Sequence, residues 1–118
     1  TPSVPAIPFC RRADPMPHGR FTRGYLHACL ALRDQPQGNK DWAQVTMVLL
    51  SEPQLRQRWR EWVRERSEQY VGTDSSVDAA IVRLATDGIW LADLLGSHDM
   101  DQGARQRLID RLIELTQL

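Results

Sequence analysis

The chain has 118 residues, 42% of them hydrophobic and 25% charged, with 15 basic residues balanced by 15 acidic ones. That is the make-up of one soluble globular domain with a single core. A net charge of zero argues against a surface built to attract nucleic acid or an anionic membrane.

Two cysteines, Cys10 and Cys29, make no disulfide framework, and no apolar run approaches the roughly 18–20 residues that cross a bilayer. The expected setting is cytoplasmic, with no membrane contact. Pro2, Pro5, Pro8, Pro15 and Pro17 crowd the first residues. Each fixes φ and removes a backbone donor, so residues 1–17 are expected to form an extended arm or linker.

From residue 18 the pattern turns helical. In "HGRFTRGYLHACLALRD", Phe21, Tyr25, Ala28, Cys29 and Leu32 share one helical face. "DQPQGN" breaks it at Pro36 and Gly38. "NKDWAQVTMVLLSE" resumes it, with Asn39 as N-cap and Trp42, Val45, Thr46 and Leu49 on one side. Ser51 is placed to cap a third helix, "PQLRQRWREWVRERSEQY", with Pro53 in its first turn. Leu55, Trp59, Trp62, Val63, Arg66 and Tyr70 form its stripe. "VGTDSS" reads as a loop in which Asp74, Ser75 or Ser76 caps a fourth helix ending near Leu95, with Gly96 as its stop. "SHDMD" leads into the last helix, "QGARQRLIDRLIELTQL", with Leu108, Ile109, Leu112 and Ile113 as its apolar face. No alternating strand or Asn-Gly hairpin occurs. The predicted fold is all-α, a five-helix bundle-like domain over residues 18–118.

The fourth helix poses a problem at Asp87-Gly88. A helix-interior glycine costs about 1 kcal/mol against alanine, and an acid among apolar neighbours needs a partner or water. On a helical wheel Ala85, Gly88 and Ala92 form a small-residue seam, where another helix could approach closely. Apolar on several sides, this helix is expected to be central, or shared between a core and a subunit interface. Asp87 is either a structural acid satisfied by Arg83 or another arginine, or a polar group facing a ligand beside Trp90.

"VRLATDGIWLADLLG" followed by "ARQRLIDRLIEL" resembles the C-terminal regulatory region of tetracycline-repressor-type (TetR/AcrR) transcriptional regulators. Many members carry an Ala-x-Asp-Gly-Leu-Trp-Leu-like run on the penultimate helix, which Ala85, Thr86, Asp87, Gly88, Ile89, Trp90 and Leu91 match position by position. "GRFTRGYLHACLA" resembles the first helix wholly inside that domain, and the likeness covers about residues 18–118. The resemblance implies an effector-binding and dimerisation domain of a bacterial regulator, whose last two helices pack across a two-fold axis. Such regulators carry an N-terminal helix-turn-helix domain, which the proline-rich start of this chain does not match. DNA contact is therefore expected only through a helix-turn-helix domain missing here. Either the DNA-binding half has been removed from this chain or the chain never had it, and Thr1, not a methionine, favours removal.

No catalytic constellation stands out, so no enzyme activity, cofactor or metal is expected. His18, His27 and His98 lack the spacing of a helical metal site. His27 and Cys29 diverge by about 200° on one helix and cannot pair as base and nucleophile. Arg56, Arg60 and Arg64 alternate with Glu61, Glu65 and Glu68, a solvated and self-paired face. The aromatic residues carry more. Either they fill a core, or they line a cavity for a small hydrophobic effector, bounded by Tyr25, Cys29, Trp42, Thr46, Trp59, Trp62, Asp87 and Trp90. A homodimer is expected through the last two helices, with Ala85, Gly88 and Ala92 near the axis and Leu108 and Leu112 flanking them, since large apolar patches are rare on monomers. The competing reading is a dimerisation or adaptor module with no small-molecule ligand.

Overall fold

The computed structural model describes residues 16–34 and 38–117. Most of the expected N-terminal arm therefore lies outside the described residues, as do Pro36 and the side chains of Leu32, Asn39 and Trp42. Six helices occur among the described residues: α1 (Arg20–Asp34), α2 (Gly38–Ser51), α3 (Pro53–Gln69), α4 (Val71–Asp74), α5 (Val77–Leu95) and α6 (Gln102–Thr116). The five long ones are those the apolar stripes predict, and no strand occurs among the described residues. The addition is α4, a single turn inside "VGTDSS", where a loop is expected.

Local chemistry explains the corners. Ser51 does not cap α3 as expected. It ends α2, its hydroxyl donating back to the Met47 carbonyl at 2.8 Å. Pro53 forces the preceding Glu52 into extended geometry (φ −108°, ψ 104°), so α2 stops there and α3 begins with a proline at its first turn. Ser76 caps α5 by accepting from the Ala79 amide at 3.0 Å, and Asp101 caps α6 through Ala104 at 2.7 Å. Gly96 ends α5 in the left-handed region at φ 62°. Beyond it Asp93 binds both Arg105 and His98, each at 2.8 Å, and so ties α6 and the connecting loop to the end of α5.

The central helix is α1, so of the two expectations for α5 the central place is not its own. Helices α2, α4, α5 and α6 all pack on α1, and residues 21–26 of α1 are all buried. Leu26 meets Val82, Ile89 and Leu112 in the main core, with Leu30, Ala85, Leu108, Ile113 and Leu115 around it. On another side Tyr25 and Ala28 meet Cys29, Trp59 and Trp62, and Phe21 stacks on Tyr70 with ring centroids 4.9 Å apart.

This packing corrects the expected seam. Leu112 is only 4% exposed and belongs to the chain's own core, so it cannot flank a subunit interface. Ala85 leans on that core and Ala92 is half-buried. Gly88 faces outward, and a Cβ added there meets nothing within 4 Å. Among the described residues no close helix approach offsets its helix penalty.

Polar groups fix the N-terminal end of α1. Asp74, buried on α4, accepts from the Thr22 amide at 2.8 Å and the Thr22 hydroxyl at 2.7 Å. It thereby supplies, from a distant part of the chain, the cap that α1 lacks locally. The Thr73 hydroxyl donates to its other oxygen at 2.7 Å. Arg83 of α5 completes the cluster through the Thr22 hydroxyl at 2.9 Å and the Asp74 carbonyl at 3.1 Å. Buried Arg23 gathers the carbonyls of Met16 and His18 and the Thr116 hydroxyl, at 2.8, 2.7 and 3.1 Å. Gly19 lies in the left-handed region at φ 74°, where a Cβ would collide with the Thr116 carbonyl, so only glycine fits.

Asp74→Ala is expected to destabilise the fold by about 3 kcal/mol, since it strands a buried amide and two hydroxyls at once. Asp74→Asn, which keeps one acceptor oxygen, is expected to lose less. Urea denaturation midpoints of the two variants against the parent provide the check.

Candidate ligand-binding site

One turn along from Thr22 and Arg83, α1 and α5 meet a second time, through Tyr25 and Asp87. The Tyr25 hydroxyl donates to Asp87 Oδ1 in a short hydrogen bond. Beside this pair the helices stand apart, leaving a cavity of about 330 Å³. Helix α1 contributes Tyr25 and Cys29, α2 contributes Thr46, Leu49 and Leu50, α3 contributes Arg56 and Trp59, and α5 contributes Asp87, Trp90 and Leu91. A second cavity of about 260 Å³ adjoins it, lined by Phe21, Tyr25, Trp59, Trp62, Val63, Ser67, Ala80, Arg83, Leu84 and Asp87. Tyr25, Trp59 and Asp87 line both.

The sequence pattern explains why these side chains converge. On α5, Ala80, Leu84, Asp87 and Leu91 follow one another at helical spacing along the side turned to α3. On α3, Trp59 and Trp62 are one turn apart and stack, with centroids 5.3 Å apart, while Arg66 covers the outer face of Trp62 at 5.4 Å. Bulky rings keep α3 away from α5, and the gap is the cavity.

Burial and one negative charge set the electrostatics. Solvent reaches Asp87 through the open side of the cavity, yet the apolar wall around its carboxyl raises its pKa, with the Tyr25 hydroxyl pulling the other way. Burial raises the Tyr25 phenol far above its usual value, and the Asp87 charge and hydrogen bond add to that. The Cys29 thiol, beside Tyr25, is pushed up to about 12 by burial and by the same carboxylate. Cys29 is thus a protonated, poorly nucleophilic thiol.

Of the expected ligand-facing residues, Tyr25, Cys29, Thr46, Trp59, Asp87 and Trp90 come together at the first cavity, and Trp62 borders the second. The side chain of Trp42 lies outside the described residues. The expectation that Arg83 satisfies Asp87 is overturned. Arg83 turns instead to Thr22 and Asp74, and the partner of Asp87 is a tyrosine on another helix. The sequence analysis did not place Leu49, Leu50 and Leu91 at the cavity, although Leu49 belongs to the α2 stripe, Leu50 lies one turn beyond Thr46 and Leu91 one turn beyond Asp87. It also assigned Arg56 wholly to a solvated face. Arg56 is exposed, but it donates to the Leu50 carbonyl at 2.6 Å and so stands at the rim of the first cavity. Further along that row Arg60 donates to Gln57 at 2.7 Å and Gln57 donates to Glu61 at 3.1 Å. Among the described residues no group of three His, Cys, Asp or Glu side chains is placed to hold a metal ion. No helix among them is long and apolar enough to cross a membrane.

The molecule is therefore an all-helical domain built round one central helix, with paired cavities between that helix and its neighbours. Residues 19–117 match the tetracyclin repressor-like C-terminal domain, and the chain belongs to that family. No curated protein and no solved structure matches it.

A raised carboxyl pKa means the folded chain holds a proton that the unfolded chain has lost. Stability therefore falls as pH rises from the ordinary carboxylate range, near 4, through the raised value of Asp87. Asp87→Asn lacks that slope, so the difference in denaturation midpoint between variant and parent is expected to grow in the variant's favour across this window. A difference that stays flat with pH would contradict the assignment.

The thiol gives a separate readout. In a Cys10→Ser background, alkylation of Cys29 by iodoacetamide at pH 8 is expected to be slow. It should accelerate in Asp87→Asn, because removing the carboxylate lowers the thiol pKa.

Proposed function

We propose that this chain is the effector-binding and dimerisation domain of a TetR-type transcriptional regulator, and that a small hydrophobic molecule binds in the cavity bounded by Tyr25, Cys29, Thr46, Trp59, Asp87 and Trp90. The observation that carries this reading is the cavity itself. Its walls are aromatic and aliphatic, it opens to solvent, and a single acid–phenol pair lies in its wall, the composition of a small-molecule site. An adaptor whose tryptophans served only as core would have little reason to leave such a space beside its central helix.

The dimerisation half rests on α5. Val77, Ile81, Leu84, Gly88, Leu91 and Leu95 recur at alternating spacings of four and three, the seam of a helix that pairs with another helix. Its leucines and valine stand exposed on the chain alone, Val77 at 76% and Leu84 at 71%. The stripe runs the length of the helix without a charge, and domains of this family generally dimerise, so a second copy is its occupant. A two-fold axis through the middle of the stripe passes near Gly88, where the missing side chain lets two backbones approach. Ala85, Ala92 and half-buried Leu108 border this surface. The effector acts by preferring one arrangement of the helices over another, a coupling typically of about 1–3 kcal/mol.

Native mass spectrometry of the purified chain tests both halves, and a dimer carrying a retained small molecule is the expected result. Ile81→Glu with Leu95→Glu alters only the outward stripe, so this variant should sediment as a folded monomer. Gly88→Leu should also weaken the dimer. A parent that sediments as a monomer at micromolar concentration would overturn the dimer, and a double variant that stays dimeric would move the interface elsewhere.

A further inference from the structure

We propose that the paired cavities take an elongated lipophilic cation, with an ammonium nitrogen against Asp87 and an apolar arm in each cavity. This inference rests on the reading of the cavities as an effector site and names the class of molecule they accept.

The first ground is the position of the charge. Among the described residues Asp87 is the only carboxylate lining either cavity, and it lies in the wall common to both. Oδ1 is occupied by the Tyr25 hydroxyl. Among the described residues Oδ2 has no protein partner and no cation pairs with the carboxylate. Two arginines line the cavities, and each is engaged elsewhere. Arg83 points to the Thr22 hydroxyl and the Asp74 carbonyl, beside the Asp74 carboxylate. Arg56 sits at the exposed rim, held by the Leu50 carbonyl near the end of α2, where water screens it. The uncompensated charge on the wall shared by the two cavities is therefore negative.

The second ground is the surface around it. Tyr25 and Trp59 line both cavities with the carboxylate, and aromatic rings attract a cation, more strongly as its water is lost. Carboxylate and rings together replace the hydration that an ammonium group loses on entering an apolar space. An anionic ligand would set a second negative charge beside Asp87. A neutral ligand without a hydrogen-bond donor would displace water from the carboxylate and offer nothing in return.

The third ground is shape. Cavities of about 330 and 260 Å³ lie on either side of the shared wall. Each exceeds the roughly 150 Å³ in which a benzene ring binds in an engineered protein cavity. A nitrogen at Asp87 can therefore carry a ring into one cavity and an alkyl chain into the other.

The test is a titration of tryptophan fluorescence in the full chain, using benzyldimethyloctylammonium, below its micelle-forming concentration, and the neutral benzyl octyl ether. The parent is expected to bind the ammonium saturably and in preference to the ether. Asp87→Asn should weaken ammonium binding about tenfold or more while leaving ether binding within about twofold. If the ether binds the parent as tightly as the ammonium, or if Asp87→Asn weakens both alike, the cation assignment is overturned and the cavity reading stands. If neither probe gives a saturable change, both fall together. The parent's preference between the probes decides the matter even if Asp87→Asn folds poorly.

Discussion

The buried carboxylate of Asp74 is the constraint from which the rest of this structure follows. It satisfies the Thr22 amide at the open end of α1 and, with the Thr22 hydroxyl, gives Arg83 of α5 a place to bind. Three helices are thereby fixed at one level: α1, α4 and α5. Helical geometry does the next step without further help. One turn beyond Thr22 is Tyr25's level, and one turn beyond Arg83 is Asp87, so the second pair meets because the first is locked. Apolar burial holds α1 among its neighbours with far more total energy, but burial is non-directional. The polar cluster selects the axial register that puts a phenol opposite an acid.

Much of this was legible from sequence because it is local. Stripes at helical spacing give the five long helices, and Ser76, Gly96 and Asp101 mark ends through bonds to near neighbours. The cap of α1 was not legible. It comes from a residue 52 positions away, and nothing near Arg20 announces it. The same limit explains the misplaced centre. A helical wheel gives the directions in which α5 is apolar but not what lies in each direction. One side of α5 meets α1, another meets α6, and a third meets solvent. Leu112 looks like an interface residue on α6 alone, and only the packing of Leu26 against it makes it core. The cavity lining was more legible than the packing of α5 and α6, because the large aromatic rings on several helices meet beside the central helix.

Asp87 and Gly88 pose one question in sequence and receive two answers in structure. Successive helical residues point about 100° apart. That angle carries Asp87 towards Tyr25 and the cavity and leaves Gly88 facing out. The acid is tolerated because it has a phenol partner and access to water, at the expense of a raised pKa. Nothing within the isolated chain compensates the glycine. Its justification has to come from outside the fold, from whatever covers the stripe on which it lies.

That stripe and the cavity are not independent surfaces. Leu84 lines the second cavity and Leu91 the first, and both belong to the exposed seam of α5. A body packed on the seam covers the outer flank of both cavities. Conversely, a molecule that fills the cavities presses on the two leucines the seam presents. With a second copy on the seam, effector affinity and subunit association become linked through shared atoms, and by reciprocity each must change the other by the same factor. Such a linkage needs no long-range pathway. It requires only that α5 turn one edge to the ligand and the adjoining edge to its partner, and the residue spacing of that helix meets the requirement.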